Sequence, residues 1–138
     1  MGWAAIRTAI EKRLQDHWTA TPIYYDNESP DVDDRSSWIR VSLITAATRR
    51  ETITTSASTG HRNYGVVLIQ IFTAAGSNAG ESAALLDSVI AVFREQVLTL
   101  ADGSRITFEG DESLGGGEDP AWYNTSWSFP FEHDENLS

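Results

Sequence analysis

The stretch YGVVLIQIFT, residues Tyr64–Thr73, is apolar at positions that would lie on both faces of an extended chain. Strands that are buried on both faces carry such continuous apolar runs, so this segment predicts a central strand of a sheet. The earlier segment Trp38–Ala47 places Ile39, Val41 and Leu43 on one face, which predicts a neighbouring strand. We expect these two strands to form a hairpin with a long, protruding polar connection.

Two amphipathic helices flank this predicted hairpin. Residues Trp3–Trp18 carry apolar side chains at helical spacing, and Asn78–Val97 repeat the pattern. Asn78 and Glu81 stand three positions apart, which fits a capping box at the start of the second helix. The glycines around this box lack the lysine of a phosphate-binding loop, so we interpret them as structural.

Further strands are predicted at Pro22–Asp26, Arg105–Phe108 and Trp122–Phe131, with a flexible, glycine-rich acidic loop before the last one. The order α-β-β-β-α-β-β favours an α+β fold with a mostly antiparallel sheet and two helices on one face. A chain of 138 residues suits one domain. We assign residues 1–132 to this domain and residues 133–138 to a polar C-terminal tail.

Composition and spacing argue against most catalytic and metal-binding functions. The chain has no cysteine, and its three histidines do not stand at ligand spacing or in a hydrolase motif. Asp31, Asp33 and Asp34 form an acidic run, but Ser36 stands where a calcium loop needs glycine. We therefore expect no catalytic residue, no cofactor and no metal. A net charge of −10 also argues against general binding of a phosphate backbone.

Several stretches then carry a family resemblance. The chain opens with WAAIRTAIEKRL, continues through TPIYYDN, WIRVSLI, GVVLIQIF and ALLDSVIAVFR, and closes with WYNTSWSFPFE. In this order, over nearly the whole chain, they resemble the tail terminator (tail completion) proteins of long-tailed bacteriophages. The resemblance rests on the order of elements and on soft sequence likeness rather than on an invariant motif.

The resemblance implies a structural virion protein without enzymatic activity. Six copies would form a ring that caps the head-proximal end of the tail tube, stops tube polymerisation and offers a docking surface to the head connector. The implied partners are further copies of the chain, the major tail tube protein and a head–tail connector or head-closure protein, with a tape measure protein as a further candidate. DNA would pass through an acidic ring without sequence-specific binding, and no membrane is involved.

The implied location is the head-proximal end of the virion tail, after assembly in the host bacterial cytoplasm. Two other functions stay open at this point. One is a neck or head-closure adaptor of the head–tail joint, and the other is a small hydrolase.

Five residues are candidates for an assembly interface. Arg49, Arg50, His61 and Arg62 stand at the two roots of the predicted hairpin connection, where they could contact an acidic neighbouring subunit or the tube. The alternative is ordinary solvated charge at the base of a loop. Trp122 is predicted on the face of the last strand that points away from the core, and tryptophan is enriched at interfaces.

Overall fold

The chain forms nine elements in a computed structural model that describes residues 3–25, 37–51, 60–74, 79–101, 103–118 and 122–136. The helices are α1 (Trp3–His17) and α2 (Ala79–Phe93). The strands are β1 (Ile23–Tyr25), β2 (Trp38–Glu51), β3 (Gly60–Ala74), β4 (Val97–Thr99), β5 (Arg105–Phe108), β6 (Glu112–Glu118) and β7 (Trp122–Asn136).

The sheet is built around β3. Its strand order is β1-β2-β3-β7-β5-β4, and β6 pairs with β7 beside this path. β3 is antiparallel to both β2 and β7, and Ile69 lies opposite Val41 on one side and Trp127 on the other. Among the described strand pairs, β1 and β2 alone are parallel. The prediction that the apolar run forms a central strand, paired with β2 as a hairpin, is confirmed.

One buried cluster joins both helices to one face of the sheet. α1 contributes Ile6, Ile10 and Leu14, which recur at helical spacing, and α2 contributes Val89 and Phe93. The sheet supplies the alternate positions of its long strands, including Ile39, Val41, Val67, Ile69, Ile71, Phe129 and Phe131. Each fully buried aliphatic side chain contributes about 1.5–3 kcal/mol. The α+β class with two helices and a mostly antiparallel sheet is confirmed.

Two strands were missed by the sequence analysis. α2 ends at Phe93 rather than at Val97, because Glu95 adopts a left-handed φ of 56° that stops the helix. Val97 then opens β4 and is 52% exposed. β6 takes up the segment predicted as a flexible glycine-rich loop and pairs with β7 through a register shift between Ser113 and Gly115. Glycine weakens strand propensity, so only the adjacent edge of β7 accounts for this strand.

The central hairpin is longer than predicted and its connection is shorter. β2 continues to Glu51 and β3 begins at Gly60, so polar residues assigned to the loop belong to the ladder. The connecting residues 52–59 lie outside the described residues. Pairing with β7 on the far side of β3 satisfies the backbone of these polar positions, which a pattern of apolar residues does not reveal.

The predicted capping box at the start of α2 lies only partly within the described residues. Asn78 lies outside the described residues. Glu81, in the first turn, accepts a hydrogen bond from the hydroxyl of Ser37, just before β2. This contact ties the helix start to the sheet, and the carboxylate still lies near the positive end of the helix.

β7 extends into the segment assigned to a polar tail. Residues 133–136 continue the strand, and His133 is fully buried. The predicted alternation is confirmed at Phe129 and Phe131, which lie in the core. His133 follows on the same face, which places a polar side chain at a core position.

Candidate functional site

The C-terminal end of β2, the N-terminal end of β3 and the C-terminal end of β7 lie side by side and form a ribbon. We define the ribbon as Thr48–Glu51 of β2, Gly60–Asn63 of β3 and His133–Asn136 of β7. Its register begins at the row Thr48/Asn63/His133 and ends at the row Glu51/Gly60/Asn136. The ribbon therefore brings the two roots of the hairpin beside the end of the C-terminal strand.

Four of the five predicted interface residues meet on this ribbon. Arg49 pairs with Arg62, and Arg50 pairs with His61, across β2 and β3. The next strand of the ribbon, β7, continues both rows with acidic residues. The structure describes the backbone of Arg49, Arg50 and His61, and their side chains lie outside the description.

Arg62 already has acidic partners in its own chain. Its Nε donates to Asp134 Oδ1 at 2.7 Å and lies 3.9 Å from Glu132 Oε2. The Arg62 side chain is 30% exposed, and ion pairs of this kind contribute about 0.2–1 kcal/mol. The sequence predicted contact with an acidic neighbouring subunit or with the tube, and it did not reveal these acidic partners on β7 of the same chain. The signal was the acidic run EHDEN, in which Glu132 and Asp134 stand two positions apart, as side chains on one face of a strand do.

A polar network centred on the buried side chains of Asn63 and His133 anchors the base of the ribbon. Thr48 Oγ1 donates to Asn63 Oδ1 at 2.7 Å, so the Asn63 amide nitrogen is the group that faces His133 Nδ1 at 3.0 Å. His133 Nδ1 therefore accepts, and its Nε2 carries the proton toward Ser104 Oγ at 2.9 Å. The network joins β2, β3 and β7 to the turn between β4 and β5.

The same network bears on the hydrolase alternative. Hydrogen bonds join Ser104, His133 and Asn63 in a chain that resembles a catalytic triad. A triad, however, needs a histidine nitrogen that accepts the serine proton. In this network the nitrogen that faces Ser104 is the protonated one, and His133 is fully buried. The arrangement suits a structural hydrogen-bond chain rather than a general base.

The fifth predicted residue lies away from the ribbon. Trp122 begins β7, about 40 Å along the strand from Asp134. Its ring lies edge-on to Trp38, with centroids 6.0 Å apart, and Trp38 stacks on Phe72 at 4.1 Å. Tyr24 meets Trp38 edge-on at 5.5 Å. Trp122 is thus half-buried in an aromatic cluster, as suits a residue near the face that the helices leave open.

A second anchor joins α2 to the C-terminal strands. Arg94, just after α2, donates from Nε and from a terminal guanidinium nitrogen to the two Asp111 oxygens at 2.8 and 2.7 Å. Trp127 Nε1 donates to Asp111 Oδ1 at 2.8 Å. The hydrogen bond from Arg94 lowers the pKa of Asp111, burial opposes this shift, and the Trp127 bond adds to it. Asp111 is 4% exposed, so this ionised group is satisfied within the fold.

The described part of the chain contains neither a cluster of metal ligands nor a helix that could span a membrane. Within those ranges, no three His, Asp or Glu side chains come together as a metal site. Asp31, Asp33 and Asp34 lie outside the described residues. None of the described helices is long and apolar enough to cross a membrane.

Comparisons with known proteins agree with the sequence resemblance. A family model described as phage tail terminator protein matches residues 5–131. One solved protein structure superposes with a TM-score of 0.73 at 18% identity, over 96% of each chain. A chain from the virion of a native gene transfer agent (GTA) particle gives a TM-score of 0.50 at 17% identity, over 97% of this chain and 96% of that one.

No curated protein matches the sequence. At these identities the structural matches show only a shared fold. The family match, in contrast, rests on similarity of the amino-acid sequence. Because that model extends from α1 into the core of β7, the chain belongs to the phage tail terminator protein family.

Proposed function

We propose that this protein forms a hexameric ring that caps the head-proximal end of the phage tail tube. The ring stops tube polymerisation and offers the docking surface for the head connector. The observation that carries the proposal is the family match over residues 5–131. The similar fold of a chain from a gene transfer agent virion supports a structural place in a virion.

The mechanism is mechanical. One face of the ring matches the last ring of the tube, and docking there denies the next tube subunit its site. The opposite face receives the connector or head-closure protein, and a tape measure protein is a further partner inside the tube. A net charge of −10 supports an acidic passage through which DNA slides without sticking.

The ribbon is the proposed contact with a neighbouring copy or with the tube. Its backbone register places Arg49, Arg50 and His61 in two adjacent rows, while Arg62 contacts Asp134 of β7. A basic edge on an acidic chain is electrostatically complementary to the rest of a second copy. Trp122 remains a separate candidate contact at the other end of β7.

Native mass spectrometry of the purified protein, alone and with tail tubes, tests the ring. We expect a six-copy species in at least one of these samples, and we expect tubes grown with the protein present to stop elongating when viewed by negative-stain microscopy. Bovine serum albumin at equal mass is the control for crowding. A monomer that binds connector and leaves tube length unchanged would favour the adaptor function instead.

A further inference from the structure

A groove crosses the sheet face that the helices leave open. It has a volume of about 240 Å³. Val66, Pro130 and Glu132 line it and alternate along their strands with buried core residues, so the groove opens away from α1 and α2. We call it the open-face groove and define it by Ala46, Val66, Thr107, Glu109, Pro130 and Glu132.

Three backbone features build this groove. β2 carries a bulge at Ala46, between the paired residues Thr45 and Ala47. Pro130 lies where β7 passes from its last β6 partner position, Ser128, to its first β5 partner position, Phe131. A proline lacks the N–H that a ladder needs, so it fits this gap between β6 and β5. The bulge in β2 and the change of partner along β7 therefore both lie at the groove.

The rim of the groove is acidic. Among the described residues, Glu109 forms no ion pair. Glu132 Oε2 lies 3.9 Å from Arg62 Nε, whereas Asp134 Oδ1 lies 2.7 Å from the same nitrogen. Both carboxylates retain capacity for a further cation.

Exposed apolar side chains flank the same groove. Ile44 is 45% exposed and shares a row with Val66 and Pro130, whereas Val97 is 52% exposed and shares a row with Thr107. Large apolar side chains beside a formed groove are typical of a protein-binding surface rather than of a surface that faces only water.

We propose that the open-face groove binds an arginine or lysine side chain of a partner protein in the tail. The aliphatic stem lies along Val66 and Pro130, and the charged head lies between Glu109 and Glu132. Long basic side chains combine these two properties, and a chain with 20 acidic and 10 basic residues is complementary to a basic partner. The inference rests on the proposed function for the presence of such a partner.

Methyl NMR with short peptides tests the groove, because methyl signals are readable for one chain and for a ring. The probes are acetyl-Val-Arg-Val-amide and acetyl-Val-Glu-Val-amide. We expect the arginine peptide to shift the methyl signals of Ile44, Val66 and Val97 and to leave the buried Val89 unchanged. Added salt weakens this binding, and the glutamate peptide causes no shift.

Glu109→Gln should weaken binding of the arginine peptide about threefold, as loss of one exposed ion pair does. Glu112→Gln removes an exposed carboxylate on β6 outside the groove and should leave the affinity unchanged. Three outcomes overturn the proposal: equal shifts with both peptides, no shift up to about 10 mM peptide, or shifts that follow protein concentration without peptide, which mean that a second copy fills the groove.

The peptide experiment and the ring experiment fail separately. Rings that cap tubes while the arginine peptide does not bind would overturn the groove alone. Peptide binding to a protein that forms no ring would leave the groove standing and overturn the proposed function.

Discussion

Asp111 is the residue at which three parts of the chain meet. It follows β5, accepts two hydrogen bonds from Arg94 after α2, and accepts one from Trp127 on β7. A carboxylate that gains such partners on folding is ionised more readily in the folded state than in the unfolded chain. Its contribution to stability therefore depends on pH in a defined direction.

Because folding lowers the pKa of Asp111, its stabilising effect is fully present above the pKa of an unfolded aspartate, about 3.9, and is lost as the pH falls through the folded value. We expect Asp111→Asn to lower the urea midpoint at neutral pH and to reduce its further fall in acid. Urea titrations at neutral and acid pH measure both effects. Glu112→Gln is the control for loss of a neighbouring carboxylate, and an Asp111→Asn protein as stable as the parent at neutral pH would contradict the prediction.

Glycine is required at position 65 because the phenyl ring of Phe131 lies close to it, and not because the backbone turns there. A Cβ at this position would lie 2.5 Å from Phe131 Cζ and 3.0 Å from the carbonyl oxygen of Ile44. We expect Gly65→Ala to lower the free energy of unfolding by about 1–3 kcal/mol, as overpacking does. Chemical denaturation measures the change. If the clash with the ring is the cause, Phe131→Leu combined with Gly65→Ala should cost less than the two single changes added together.

At the scale of elements, the ribbon depends on the network at its base. His133→Leu keeps a side chain of similar volume at this position. It leaves the Asn63 amide and the Ser104 hydroxyl without the hydrogen bonds to His133. We expect a loss of about 2–3 kcal/mol in the free energy of unfolding, because buried polar groups lose their bonds. Ser104→Ala should cost about 1 kcal/mol. The role of the network would not be purely structural if the parent protein hydrolysed simple esters and Ser104→Ala abolished this activity.

The ribbon arginines separate into two classes that mutation can distinguish. Arg62→Glu places a carboxylate beside Asp134 and Glu132, so we expect it to reduce stability by about 1 kcal/mol as well as to weaken assembly. Arg49→Glu combined with Arg50→Glu should change stability by about 0.5 kcal/mol or less and still impair tube capping. Thermal denaturation and tube-length measurements on the same samples separate the effects. Tails of normal length from the double variant would remove the ribbon from the proposed interface.

At the scale of the whole molecule, the end of β7 decides where the domain ends. A chain cut after Glu132 loses the buried His133 and Asp134, the partner of Arg62. We expect this 1–132 chain to unfold at clearly lower urea than a chain of residues 1–136, because the ribbon loses its third strand and its polar anchor. The 1–136 chain should match the 138-residue chain in stability. Equal stability of the two truncated chains would show that residues 133–136 add nothing to the fold.

Local pattern was sufficient wherever a segment is apolar on its own. The helical spacing of Ile6, Ile10 and Leu14 predicted α1 with nearly its observed bounds, and the run Tyr64–Thr73 predicted the central strand. The strand Arg105–Phe108 was predicted with the observed bounds. In each case burial of the segment's own side chains supplies the driving force, so the pattern records it.

Polar and glycine-rich segments were assigned wrongly because their structure comes from a neighbour. Glu112–Glu118 is a strand since β7 offers it an edge, and polar ribbon residues are strands since β2, β3 and β7 satisfy one another's backbone hydrogen bonds. The sequence showed basic residues at both ends of the predicted hairpin connection. It did not show that β7 lies beside them, because Arg62 and Asp134 are 72 positions apart.

The sequence by itself determined the fold class, the central strand, both helices and the family, since each depends on apolar periodicity or on the order of segments along the chain. Only the tertiary structure decided that His133 is buried, that Arg62 is held by Asp134, and that Glu109 and Glu132 share the rim of one groove. These features are contacts between distant segments, and such contacts arise from strand register and sheet curvature rather than from the properties of either segment alone.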